Sequence, residues 1–202
     1  MQLRTPDGHA LRGEGAFTEV APHRVVYEGR ADHAGVSVTT RTETEYDGCM
    51  RVELTLAPDA EGAELPGLWL DIPIRDEMAP LWHMVKTGIR RNPAGFAPRG
   101  EGQVWDSSRA PDYSRWPGGF KPLTFVPYIW LGAEERGLCW FADNDRGWVL
   151  DQSEEGRYEP CLTLHRRDDV LTLRVHLVQQ PVTLTEPRKI VFGLMASPAK
   201  PM

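Results

Sequence analysis

The chain has 202 residues, 41% of them hydrophobic, which is enough apolar material for one buried core, and its 23 Lys and Arg against 29 Asp and Glu leave a net charge of −6. That acidic balance, with no long basic run (HRRDD at 165–169 cancels itself), argues against a nucleic-acid partner. No window approaches 18 apolar residues, so no membrane span is expected, and the opening MQLRTPDGHALRGEG lacks the apolar core of a signal peptide.

The 19 glycines and 17 prolines point to the many turns of an all-β chain. The first forty residues give little signal. From Val36 to Ala57 the chain reads as a hairpin: VSVTTRTETEY is β-branched, CMRVELTL sets Met50, Val52, Leu54 and Leu56 on one face, and Asp47-Gly48 between them is a strong turn signal. LWLDIPI predicts a strand over 68–74, and Pro73, having no N–H, places it at an edge or a bulge. In DEMAPLWHMVKTGIRR, the residues Met78, Leu81, Trp82, Val85 and Ile89 fall at helical spacing. One short helix is therefore expected there, an irregular excursion being the alternative. Residues 92–122 carry too many prolines and glycines for a regular element and read as a long loop, packed by Trp105 and Trp116.

Further strands are expected at 124–131, 138–142, 161–166, 170–178 and 189–195. In the fourth of these Leu171, Leu173, Val175 and Leu177 face inward, while Thr172, Arg174 and His176 face out. The strands flanking GAEERG are apolar on both faces, so that hairpin belongs in the middle of the fold, with Trp140 or Phe141 in the core. These elements predict an antiparallel β-sandwich of one domain over 1–197, with ASPAKPM at the end reading as the start of a linker at 198–202.

The segment DNDRGW after that hairpin is the one candidate ligand site. Asp143, Asn144, Asp145 and Arg146 form a self-satisfied turn with Gly147 at positive φ on the plainest reading, leaving Trp148 at the sheet rim. An EF-hand calcium loop does not fit, because neither its glycine nor its glutamate falls in register. The alternative is a carbohydrate contact, with Trp148 stacking on a sugar ring while Asp143, Asn144, Asp145 and Arg146 take its hydroxyls.

No catalytic centre is visible in the residues. The six histidines lack metal-ligand spacing, no Gly-x-Ser-x-Gly elbow occurs, and RGEGQ does not sit between a strand and a helix as a phosphate loop would. Cys49, Cys139 and Cys161 form no Cys-x-x-Cys pair and read as free thiols, with a disulfide between two of them as the alternative. No metal or cofactor is expected.

The strings GEGQVWDSS, PYIWLGAEERGLCWFADNDRGW and LVQQPVTLTEPRKIVFGLMASPAKPM, in this order, resemble the non-catalytic region ahead of the barrel in proteins of the glycoside hydrolase family 123 type. The resemblance covers roughly residues 45–202. It implies a β-sandwich accessory domain preceding a catalytic barrel, whose Asp-Glu pair cleaves β-linked N-acetylgalactosamine with the substrate acetamido group as nucleophile. No residue here matches that pair, so this chain by itself is not expected to be catalytic, and its implied partner is the downstream catalytic domain. Two other readings stand beside it: a carbohydrate-binding module that holds glycan through tryptophans, and a small enzyme with a carboxylate pair drawn from separate segments. Exposed coplanar tryptophans would favour the module, and a broad apolar patch near the C-terminus the accessory role.

Overall fold

Period-two alternation carries most of the described residues into extended structure. The computed structural model describes residues 1–59, 62–85, 94–107, 125–151 and 159–198. In chain order its strands are β1 (Gln2–Arg4), β2 (Glu14–Ala21), β3 (Arg24–His33), β4 (Val36–Glu45), β5 (Cys49–Pro58), β6 (Ala63–Leu65), β7 (Leu68–Arg75), β8 (Leu81–Val85), β9 (Ala94–Phe96), β10 (Gly102–Asp106), β11 (Tyr128–Ala133), β12 (Arg136–Phe141), β13 (Leu162–Arg167), β14 (Val170–Val178), β15 (Val182–Leu184) and β16 (Arg188–Ser197). They form a five-stranded sheet in the order β1-β7-β14-β13-β10, a nine-stranded sheet in the order β2-β3-β4-β5-β16-β12-β11-β8-β9, and the small pair β15-β6. Pairing within the sheets is antiparallel throughout. The inner faces of the two large sheets share one apolar cluster, with Val38, Val52, Leu54, Trp140 and Ile190 from the larger meeting Leu68, Leu70, Leu173 and Val175 from the smaller.

The expected hairpin is β4–β5, closed after Asp47 by Gly48 at φ 88° and by the Asp47 carboxylate accepting from the Cys49 N–H at 2.8 Å. The β11–β12 hairpin lies inside the nine-stranded sheet between β8 and β16, as its two apolar faces predict, and Trp140 is 1% exposed. Pro73 sits on β7 beyond the reach of β1, whose register spans only Trp69–Asp71, so its missing N–H faces an open edge.

Three expectations change. The helical stripe is instead one 3-10 turn at Asp76–Met78 followed by strand β8, on which Trp82 and Met84 are buried at spacing two. Leu81 and Val85 lie half-buried on the other face, so a strand with apolar residues on both faces mimicked helical spacing; Ile89 is outside the described residues. Within the expected loop at 92–122, β9 and β10 are short strands, and Trp105 is buried against Trp82 with ring centroids 4.9 Å apart. Trp116 and the rest of that loop after Ser107 lie outside the described residues, as do 199–202 of the expected linker. Finally, β2 and β3 extend the larger sheet at its N-terminal end, where no strand was anticipated. Their exposed faces mix glycine, charge and single apolar residues, which leaves no clean period to read.

Candidate functional site

The turn after β12 is held by its own side chains. Asn144 Nδ2 donates to Asp143 Oδ2 at 2.9 Å, the Arg146 N–H donates to Asn144 Oδ1 at 3.0 Å, and the Trp148 N–H donates to the Asp145 carbonyl at 3.1 Å. Gly147 has φ 83°, and a Cβ there would run into the Lys189 carbonyl. Asp143, Asn144, Asp145 and Arg146 are exposed. Trp148 is not at the rim: it is 7% exposed and packs edge-to-face on Trp140 and Phe125, at 6.0 and 5.4 Å. The sequence places it beside polar residues, but Gly147 reverses the chain so that the indole turns into the core. The four polar side chains are therefore gathered at one tip without the stacking ring.

A second surface is the outer face of the nine-stranded sheet, which divides into two halves. Over β2 to β5, and onto the first residues of β16, it is a ladder of opposite charges: Arg24–Glu19 at 2.6 Å, Arg41–Glu28 at 3.4 Å, Arg51–Glu53 at 2.5 Å and Lys189–Glu53 at 3.0 Å. Such exposed pairs add little stability and mark a solvated face. From Val191 onward in β16, and over β12, β11 and β8, the outward side chains are instead Val191, Met195, Cys139, Phe141, Tyr128, Trp130, Leu81, His83 and Val85, all half-buried. Glycines on this half let rings lie flat against the backbone. A Cβ at Gly132 or Gly137 would collide with the Trp130 indole, and one at Gly193 with the Phe141 ring. Trp130 Nε1 donates to Ser197 Oγ at 2.9 Å, so β16 ends on this half. His83 meets Tyr128 edge-on at 5.8 Å. Burial pushes the Tyr128 hydroxyl and the Cys139 thiol above their ordinary pKa values, so both stay uncharged.

A third surface, the outer face of the five-stranded sheet, is polar yet closed. Arg174 forks onto Asp71 at 2.7 and 2.9 Å and stacks its guanidinium 4.6 Å from the Trp69 ring. Arg4 Nε lies 3.0 Å from the same carboxylate, in ion-pair range without hydrogen-bond alignment. Next to this network, Thr163 Oγ1 is 2.9 Å from His165 Nε2 and 3.1 Å from His176 Nε2. One hydroxyl carries one proton and two lone pairs, so at most one ring accepts from Thr163 and at least one donates its own Nε2–H to it. Burial, reinforced by the charge of Arg174, lowers both histidines, His176 to about 4, and keeps both rings neutral. Asp71, Arg174, Thr163 and Asp106 follow one another across adjacent strands. The two buried carboxylates thus stand three strand spacings apart, roughly 14 Å, beyond the roughly 5–9.5 Å of glycosidase acid–base pairs.

Among the described residues no group of three or more His, Cys, Asp and Glu converges as a metal site. All three cysteines are free thiols. Cys161 is fully buried and driven up to about 11, while Cys49 and Cys139 sit two strands apart with Met195 between them. Sequence reasoning noticed that β11 and β12 are apolar on both faces but not that the outward one joins β8 and β16 in a single surface. Glycines opposite aromatics were the available signal. No protein-family model and no curated protein matches this chain.

Proposed function

We propose that the chain is a non-catalytic β-sandwich accessory domain of a glycoside hydrolase family 123-like enzyme, and that the aromatic half of its larger sheet packs against the downstream catalytic barrel. The observation that carries this reading is the division of one continuous sheet face: salt-bridged and solvated over β3–β5 and at Lys189 where β16 begins, uncharged from Val191 of β16 across β12 and β11 to β8, with Ser197 on that second half. A sheet face bound for solvent has no need of that change, whereas a face bound for a partner does. The resemblance of the 127–148 and 177–202 strings supplies the partner's identity. The wide separation of Asp71 and Asp106 supports a role without chemistry of its own.

The reading frame downstream of Met202 is the first test, and a barrel encoded there is the expected result. The second is a titration of that barrel, expressed separately, against this chain and its Val191→Lys and Met195→Lys variants. Both variants place a charge on the apolar half without entering the core, so binding should weaken about 100-fold, roughly 2.7 kcal/mol, with little change in Tm. Equal affinity for all three proteins would refute the docking face. A carbohydrate-binding module is the second reading, favoured by one observation, the Trp130 indole lying flat across two glycines on the surface. Glycan affinity lost in Trp130→Ala, with no barrel binding, would establish it instead.

A further inference from the structure

The opposite end of the larger sheet has a different character. Strand β2 is its edge, and among the described residues nothing pairs with the far side of its eight residues, a free backbone of roughly 26 Å. Here the smaller sheet ends in the three-residue β1, so the inner faces of β2, β3 and the first part of β5 are left uncovered. The result is a groove of about 480 Å³ between the two sheet edges, walled by Leu3, Leu11, Phe17, Tyr27, Met50 and Leu70. Along it the inward side chains of β4 change from Val38 to the hydroxyls of Thr40, Thr42 and Thr44. Exposed large apolar side chains gather here: Phe17 is 65% exposed, with Met1 and Tyr27 beside it, and Val20, 76% exposed, follows on the same strand. On the other side of the same edge strand the side chains are Glu14, Ala16 and Glu19.

We propose that this edge receives an extended segment of a partner chain, which pairs with β2 as a tenth strand and sets alternate apolar side chains into the groove. Each part of the arrangement specifies a part of that segment. The free N–H and C=O groups of β2 call for an extended backbone. The groove offers apolar walls and hydroxyls, with charge only at Glu14 and Arg30, so inward positions take aliphatic or small hydroxyl side chains. Outward positions fall beside Glu14 and Glu19; Glu19 is engaged by Arg24 at 2.6 Å, so the charge complement of Glu14 is a basic residue. The partner is thus an amphipathic strand of apolar and basic residues in alternation. This surface and the aromatic half lie at opposite ends of the sheet, so the inference does not depend on the accessory reading.

Three blocked heptapeptides serve as probes, KVKVKVK, EVEVEVE and the unpatterned KKKVVVV, titrated against the full chain with amide hydrogen exchange as the structural readout. KVKVKVK should bind, slow exchange across Glu14–Ala21, and bind at least tenfold more tightly than either control. Phe17→Lys, at a position already mostly exposed, should abolish binding while leaving the Tm in place, and Glu14→Lys should narrow or reverse the preference for KVKVKVK over EVEVEVE. Equal binding of the three peptides, binding insensitive to Phe17→Lys, or no binding by a folded chain would overturn the proposal. So would dimerisation of the free chain that Phe17→Lys abolishes, since the occupant would then be a second copy. Partition into neutral lipid vesicles lost in Phe17→Lys would likewise replace the peptide with a lipid surface.

Discussion

Trp140 is the side chain on which the two sheets close, and truncating it tests the packing directly. It is 1% exposed, projects inward from β12 between Ile129 and Leu194 on the neighbouring strands, and meets Trp148 edge-to-face at 6.0 Å. Trp140→Ala removes a fully buried indole, about 3–5 kcal/mol, together with an aromatic pair of about 0.5–1.5 kcal/mol. A loss of about 4–6 kcal/mol is therefore expected, enough to lower the Tm of a domain of this size by about 10–20 °C. Trp140→Phe should behave differently. The indole N–H is buried without an acceptor, a burden of roughly 1–3 kcal/mol that phenylalanine does not carry and that offsets much of its smaller volume. The phenylalanine variant should lose less than about 2 kcal/mol. Urea unfolding followed by circular dichroism gives both values from the midpoint at constant m. If the alanine variant loses under about 2 kcal/mol, or the phenylalanine variant loses as much as the alanine one, the account of this core is wrong.

Gly193→Ala should cost about 1–3 kcal/mol, because its Cβ meets the Phe141 ring, and Phe141→Ala should relieve the clash so that the double variant loses less than the sum of the two, measured by the same unfolding assay. Because folding depresses the His176 pKa from 6.5 to about 4, its contribution is present above pH 6.5 and is lost as pH falls toward 4, on the order of 3 kcal/mol in all. His176→Gln should flatten that part of the stability profile; a slope between pH 6.5 and 4.5 unchanged in the variant would assign the acid sensitivity to other groups. Asn144→Ala breaks a local turn bond to the Arg146 N–H and should cost roughly 1 kcal/mol or less, with any larger drop in Tm arguing for a wider role of that tip.

The parts of the fold that were legible are those where one side of a strand is wet. Leu171, Leu173, Val175 and Leu177 alternate with polar residues, and all four are buried. Asp47-Gly48 announced its hairpin because the turn needs a positive φ at that glycine. Strand β8 was misread because both its faces are apolar, which erases the period that distinguishes strand from helix. Trp148 was misplaced because its neighbours in sequence are polar while its neighbours in space are Trp140 and Phe125. Among the candidate surfaces, the outward direction of Arg174 and His176 could be read, but Asp71, which pairs with Arg174 from 103 residues away, could not. The aromatic half was hidden for the same reason: its strands come from residues 81–85, 128–141 and 188–197, and only register brings them together.

Strand β16 comes last in sequence among the described strands, yet it lies near the middle of the larger sheet, with β5 on one side and β12 on the other. On the ribosome, β2 to β5 can assemble early as a meander of neighbouring hairpins, and β11–β12 can form as another, but the two blocks have no common border until residues 188–197 emerge. Until then β5 and β12 are both temporary edges, with unpaired backbone and apolar inner faces open to solvent. Closure depends on the least local pairing in the sheet, which favours slow folding. Joining these halves by a late central strand makes the nascent chain most exposed to misassociation just before synthesis reaches Ser197.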